Sequence, residues 1–342
     1  MSVITVIPGD GIGPEVIEQA LVVMDGLGTG LEFDVLDHVN ASTFLRTGVA
    51  LSDVDFRRVS ASQGTLLGAV GDPRVTSSEY ARGVLLRLRS DLDLYVNHRP
   101  ARLLDARLSP LRDEQRRNID CVIVRENTEG LYAGIGGILR SGSTEAVAID
   151  AEVNTYYGID RVLEYAFSIA RRGVCLVDKS NAVRSGGSLW QRCWAEAKQR
   201  NPDVPVTHLY VDAAAMKLVS DPASFDVIVT NNSYGDILSD LAAEVAGGIG
   251  AAASANINPH TGYGLYEPVH GSAPDIAGTG VANPLGAILS GAMLLARIGR
   301  EEQARALTRA VEATVTAGRC TPDLGGDLHT KEVGAAVLAE LG

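Results

Sequence analysis

The sequence predicts an α/β fold with a largely parallel sheet, divided between two lobes. Short β-branched runs alternate with amphipathic helical stretches along most of the chain. Its 342 residues exceed the usual reach of one hydrophobic core. Apolar residues make up 46% of it, and 37 glycines and 13 prolines are spread throughout, which suits many short strand-to-helix connections.

The elements follow in order. Residues 3–7 read as a strand and 14–26 as a helix with Pro14 in its first turn. Residues 65–70 form an apolar run, a helix is expected over 78–89, and 93–96 is again strand-like. Further strands are expected at 121–125, 174–177, 206–211 and 225–230, with helices at 160–171, 188–200 and 236–246. Residues 132–149 lose any helical period and become rich in Gly, Ser and Thr, as expected of a protruding hairpin arm. Residues 242–253 are mostly small, and 259–264 read as a loop. From Asn283 onward helices return, with Ile288, Leu289, Ala292 and Leu295 on one apolar face.

Composition narrows the function. A net charge of −12 with no basic run argues against a nucleic-acid partner. The start, MSVITVIPGDG, lacks a basic segment followed by a long apolar one, so no leader is expected. No uninterrupted apolar stretch reaches the roughly 18 residues of a membrane span. Cys121, Cys175, Cys193 and Cys320 are widely spaced, and Cys121 and Cys175 sit in strand-like runs as expected of buried free thiols. The expectation is a cytoplasmic protein.

Gly9, Gly11 and Gly13 follow a strand and open a helix, which invites a dinucleotide-binding reading. Their spacing is GxGxG rather than GxGxxG, and Pro14 stands where a third small residue is needed. A tight turn bordering a cleft fits better.

Arg82, Arg87, Arg89, Arg99 and Arg102 form a local basic group in an acidic chain. Arg82 and Arg89 lie seven apart and share a helix face with Leu85 and Leu86. Arg87 and Arg102 read as solvated. Arg125 ends an apolar strand, where a buried arginine needs an anionic partner. Arginines from different elements can clamp the carboxylates of a small diacid.

Asp236 and Asp240 fall on one helix face, and a divalent cation would relieve their repulsion. Asp212, at the end of a strand, can add a third oxygen ligand. With no His/Cys cluster nearby, such a set suits Mg²⁺ or Mn²⁺ better than zinc. Lys179 follows a strand and can enter a cleft as a general base; by itself it equally reads as an exposed loop lysine. Tyr132 is open in the same way. The segment Glu267–Pro284 is dense in turn formers. Its Gly271 and Ser272 allow close backbone approach to phosphate, and Asp275 can accept from a ribose diol while repelling a 2′-phosphate.

The stretches VIPGDGIGPEV, LLRLRSDLDLYVNHRP, VIVRENTEGLYAG, VDKSNAV, YVDAAAMKLV, FDVIVTNNSYGDILSDLAAE and EPVHGSAPDIAGTGVANP, in this order, resemble the isocitrate/isopropylmalate family of β-decarboxylating dehydrogenases along nearly the whole chain. The resemblance implies a two-lobed fold that is not a Rossmann fold, with the active site in the interlobe cleft. Residues 1–95 and 250–342 would form the cofactor-side lobe. Residues 96–249 would form the substrate and dimerisation lobe, with the arm at about 133–150. It also implies a homodimer in which Lys179 and Asp212 of one subunit complete the site of the other.

Site roles follow from the same resemblance. Arg89, Arg99 and Arg125 hold the substrate carboxylates, and Asp212, Asp236 and Asp240 bind Mg²⁺ or Mn²⁺ near the substrate. Lys179 is the base at the 2-hydroxyl, and Tyr132 the acid at the carbon that loses CO₂. NAD lies along His270, Gly271, Ser272, Ala273, Pro274, Asp275, Ile276 and Asn283. Asp275 and Ile276 stand where NADP-dependent relatives carry Lys-Tyr, which favours NAD.

Members of the family share a malate portion and differ at C3. Leu85 and Leu86 stand where isocitrate enzymes carry polar residues and homoisocitrate enzymes an arginine at the second position. An apolar contact cannot offset desolvation of a further carboxylate, so 3-isopropylmalate is the expected substrate. His98 and Ala182 depart from the pattern. Ala182, where a larger residue is usual, leaves a bulkier 3-alkyl or 3-aryl malate as the alternative, with tartrate or D-malate and a non-catalytic regulatory subunit further off.

Overall fold

The computed structural model describes residues 3–342; Met1 and Ser2, where the reading of the chain's start begins, lie outside them. Twelve strands alternate with helices: β1 Val3–Gly9, β2 Glu32–Val35, β3 Thr65–Ala69, β4 Val96–Arg102, β5 Asp120–Glu126, β6 Gly136–Leu139, β7 Val147–Asp150, β8 Val174–Asp178, β9 Val206–Tyr210, β10 Val227–Thr230, β11 Ala253–Ile257 and β12 Gly264–Pro268. Ten of them form one sheet in the order β2-β1-β3-β12-β11-β4-β5-β10-β8-β9. Strands from residues 3–69 and 253–268 occupy one half, and strands from 96–230 the other.

Pairing is parallel in both outer parts, as expected, but antiparallel through the middle, where β12, β11, β4 and β5 meet. The short loop between β11 and β12 explains the first reversal, since antiparallel neighbours need no crossover helix. Neither strand is evident from the sequence. β11 (ASANI) is short and carries Asn256, and β12 begins at Gly264 and ends at Pro268, residues that usually mark strand ends. The strand-like run expected at 93–96 becomes β4, displaced so that Arg99 sits within the strand.

The two faces of the sheet differ. On one, a single core joins the helices Gly13–Gly26, Tyr156–Ile169, Arg184–Arg200, Leu285–Arg297, Glu301–Thr316 and Thr330–Ala339. On the other the core is split. Ile7, Leu36, Leu67, Val84 and Leu88 belong to one cluster, and Ile123, Val177, Ala214, Ile228 and Leu238 to another. A cleft at such a division is where α/β sheets commonly place ligands.

The helix expected over 78–89 is continuous in direction but not in type. Glu79–Ala81 and Arg87–Asp91 are α-helical, and Arg82–Leu86 between them is a π-helical turn. Its wider hydrogen-bonded ring breaks the 3.6-residue phase, and such turns recur at functional sites. Arg82 and Arg89 therefore do not act as a pair. Arg82 lies over Gly134 at the base of the arm, where an added Cβ would come within 2.3 Å of its Nη2. Arg89 instead donates to Glu267 on β12.

The arm is an antiparallel hairpin of β6 and β7, solvent-exposed along its length. All four cysteines are buried and free. Among the described residues, no helix is long and apolar enough to cross a membrane.

Candidate active site

Arg99 and Arg125 come from adjacent antiparallel strands and point to the face where the core is split. Arg125 is 2% exposed, and its Nε and Nη2 donate to Asn232 Oδ1 at 2.9 and 2.7 Å, while Nη1 pairs with Asp236. Arg99 Nη1 donates to Ser239 Oγ at 2.7 Å and to Asp240 Oδ1 at 3.2 Å. Burial lowers the pKa of Arg125 to about 9, helped by the nearby charges of Arg99 and Arg89. Even so both guanidiniums stay charged at neutral pH. Cations concentrated in this way need anions to balance them.

Part of the balance comes from the helix Asn232–Val245, which follows β10 directly. Asn231 caps it by accepting from Tyr234 N at 3.0 Å, and this sets the helix phase. Asp236 and Asp240 then fall one turn apart, both facing the arginines. The arginines thus relieve a repulsion that a cation alone was expected to relieve. Burial, reinforced by Asp236, raises the pKa of Asp240 despite Arg99 and Arg125. The Tyr132 hydroxyl donates to Asp236 Oδ2 at 3.1 Å, and burial followed by that carboxylate raises its pKa. Arg125 also stacks over the Tyr132 ring, 5.6 Å from its centroid.

Lys179 and Asp212 stand elsewhere. Asp212 does not end a strand: β9 stops at Tyr210, and Asp212 lies in the first turn of the helix Val211–Ser220. Its Oδ1 accepts from Lys179 Nζ at 2.7 Å, and the lysine holds the aspartate's pKa below the usual carboxylate range. Among the described residues, neither has a hydrogen bond or ion pair with Asp236 or Asp240, which are paired with Arg99 and Arg125 instead. Among the described residues, no group of three His, Cys, Asp or Glu is gathered to hold a metal ion. One chain therefore offers two of the three expected oxygen donors in one place and the third in another.

The cofactor segment is braced by the N-terminal glycine turn. Ile12 N donates to Ser272 O at 2.8 Å, and a Cβ on Gly11 would come within 1.9 Å of that oxygen. Gly11 also has φ +56°, so glycine is required there on two counts. The tight turn thus also serves as a buttress. Ala273 takes φ 38°, a sharp bend in the segment. Pro274 and Asp275 are exposed, Ile276 packs partly against the main core, and nothing stands within 4 Å of where a Gly271 Cβ would be. Asn283 Oδ1 accepts from Leu285 N at 2.9 Å where the next helix begins. His270 Nδ1 donates to Gly271 O at 3.0 Å, whereas its Nε2 is buried without a partner. An open loop beside an orphaned polar atom fits a bound polar cofactor.

Leu85 packs against the first of the split clusters, while half-buried Leu86 belongs to neither. His98 lies on the opposite face from Arg99, because strand side chains alternate. Its Nδ1 meets Tyr165 Oη at 3.0 Å, and burial lowers its pKa to about 4. His98 is therefore packed and hydrogen-bonded away from the arginines. Ala182 is exposed in the loop after Lys179. Arg87 pairs with Asp53 and Asp91, and Arg102 with Glu312, so both are surface residues as expected.

Several participants escaped the sequence reading. Asn232 and Ser239 orient the arginines, and Glu267 Oε1 accepts from Arg89 Nη2 at 3.0 Å and from Asn256 Nδ2 at 2.8 Å. Asn256 in turn accepts from Asn97 and Asn127, forming a buried polar network where the two halves of the sheet join. The consecutive asparagines 231 and 232, just after a buried strand, were the available signal.

A family model described as isocitrate/isopropylmalate dehydrogenase matches residues 3–337. The 3-isopropylmalate dehydrogenase of Leifsonia xyli is 48% identical over 92% of this chain and 90% of its own length. That of Corynebacterium kroppenstedtii is 45% identical over 99% of both chains. A crystal structure of isocitrate dehydrogenase from Methylococcus capsulatus superposes with a TM-score of 0.91 at 37% identity, covering 100% of this chain and 99% of the other. With its ordered motifs and near-complete matches, the chain belongs to the isocitrate/isopropylmalate dehydrogenase family.

Proposed function

We propose that the protein is a cytoplasmic NAD-dependent enzyme that oxidises and decarboxylates 3-isopropylmalate to 2-oxoisocaproate, working as a homodimer with Mg²⁺ or Mn²⁺. The observation that carries the reading is the buried Arg99–Arg125 pair set against Asp236 and Asp240, with apolar Leu85 and Leu86 on the helical segment that leads to Arg89. Near-full-length likeness to 3-isopropylmalate dehydrogenases supports the choice of substrate.

The guanidiniums of Arg89, Arg99 and Arg125 hold the two carboxylates of the malate portion and fix its orientation. Asp236 and Asp240, with Asp212 of the second subunit, would hold the divalent cation near the 2-hydroxyl. NAD supplies the hydride acceptor, and the cation supplies Lewis acidity. Lys179, unprotonated and no longer paired with its own Asp212, would accept the hydroxyl proton. Tyr132, kept protonated by its raised pKa, delivers a proton to C3 after CO₂ departs. Leu85 and Leu86 meet the isopropyl group. Residues 271–276 take NAD, with Asp275 at the ribose.

Separation of the Lys179–Asp212 pair from Asp236 supports shared sites. So do the exposed apolar residues on the two helices that carry the aspartates: Met216 is 67% exposed and Ile237 65%. The segments 1–95 with 250–342, and 96–249, would move as the two lobes. Comparing kcat/KM with NAD⁺ and Mg²⁺ for 3-isopropylmalate, 3-benzylmalate, isocitrate and D-malate tests the proposal. The first should lead, and faster turnover of 3-benzylmalate would transfer the assignment to a bulkier substrate admitted beside Ala182.

A further inference from the structure

The face of the sheet opposite the arginines carries a cavity of about 580 Å³ that has no part in the chemistry above. Its floor is Pro100 of β4 and Ala253 of β11, and its walls are Leu289, Ala292, Met293 and Ala304 from two adjacent helices. Pro100 and Arg99 are consecutive in the strand and face opposite ways, so the sheet itself separates the cavity from the substrate site. The volume lies within the roughly 300–1,000 Å³ typical of small-molecule sites.

The charges around the mouth are uneven. Arg102 is paired with Glu312 at 2.6 Å, and Arg305 with Glu301 at 3.1 Å. Arg309, one turn beyond Arg305 on the same helix, also lines the cavity, and among the described residues it has no ion pair or hydrogen bond. The mouth thus carries one uncompensated guanidinium above an apolar interior, in a chain whose net charge is −12.

From this we infer that the cavity is a binding site for an aliphatic monocarboxylate. The hydrocarbon would displace water from the Leu289–Met293 wall, and the carboxylate would meet Arg309 in a two-pronged hydrogen-bonded pair. A neutral alcohol of the same length fills the cavity but leaves Arg309 unpaired. An alkylammonium is repelled by it. A dicarboxylate of the malate type would bring two negative charges to a mouth with one unpaired guanidinium, so this ligand class is distinct from the substrate's.

Octanoate is the probe, titrated calorimetrically into the full-length protein beside octan-1-ol and octylammonium. One octanoate per chain is expected, bound at least tenfold more tightly than either analogue. Arg309→Glu should weaken octanoate at least tenfold while leaving octan-1-ol unchanged. Ala296→Trp, at the exposed rim of the cavity, should abolish binding of both, and unaltered thermal melting of each variant would show that the fold is retained. Equal affinity for octanoate and octan-1-ol would overturn the inference, as would indifference to both substitutions. Displacement of octanoate by D-malate would overturn it too, by placing the acid among Arg99 and Arg125. Self-association of the wild-type chain that Ala296→Trp removes would do the same, by giving the cavity to a second copy.

Discussion

Two charged clusters of this molecule use the same chemistry in opposite ways. Arg99 and Arg125 are buried, held by Asn232 and Ser239, and ion-paired with the more exposed Asp236 and Asp240. Lys179 and Asp212 neutralise each other directly at 2.7 Å, on a more exposed part of the surface. A single chain can therefore finish the first cluster, because burial and rigid hydrogen bonds keep charge available for a ligand. The second is satisfied by itself and becomes useful only when something separates its members. A neighbouring subunit that brings Asp236 and Asp240 to Asp212 would do this.

The largest expected effect breaks the comparison outright. Lys179→Met and Asp236→Asn should each lower kcat by about 10²–10⁴-fold, as expected when general acid–base or metal-binding groups are lost. A heterodimer assembled from the two variants should recover about half the wild-type activity, since one of its two sites keeps both residues. An inactive heterodimer would mean that each chain builds its own site.

Arg125→Lys sharpens the rigid half of the comparison. It keeps the charge but loses the planar fork held by Asn232, so kcat/KM should fall by roughly 30–150-fold, about 2–3 kcal/mol. Steady-state kinetics would show a loss no larger than threefold if orientation were unimportant. Leu85→Arg should cost about 1–3 kcal/mol in kcat/KM for 3-isopropylmalate, roughly 10–200-fold. Fluorescence titration of NADH should be nearly unchanged, and a parallel loss of cofactor affinity would argue for general disruption.

His98 gives the smallest effect, confined to stability. Its pKa is lowered to about 4 in the fold, so as pH falls the unfolded chain takes up the proton first. Its contribution is fully present above about 6.5 and is lost progressively from there down to 4, on the order of 1–2 kcal/mol at pH 5. His98→Leu should flatten that slope in denaturant unfolding and leave KM unchanged. A shift in KM would tie His98 to the substrate site across the sheet.

Much of the site was legible because its chemistry is local. Arg125 at the end of an apolar run demanded an anion, and the four-residue spacing of Asp236 and Asp240 placed both on one helix face. The segment from His270 to Asn283 is dense in turn formers, whatever it packs against. Less legible were residues whose importance lies in what they touch. Glu267 sits in a short strand between Gly264 and Pro268, and only the meeting of β12 with the helix before β4 aims it at Arg89. Asn256 would weaken an ordinary buried strand, yet here it joins Asn97, Asn127 and Glu267.

The sequence by itself determined the α/β alternation, the exposed arm, the order of the motifs and the kinds of side chain available for the chemistry. Periodicity and residue type are properties of neighbouring positions, so they can be read without a fold. Only the tertiary structure decided that the middle of the sheet runs antiparallel, that a π-helical turn separates Arg82 from Arg89, and that Asp212 opens a helix rather than ending a strand. It also decided that the N-terminal glycines brace the loop after His270. Each of these depends on contacts between segments far apart in the chain, whose energies a local pattern does not contain.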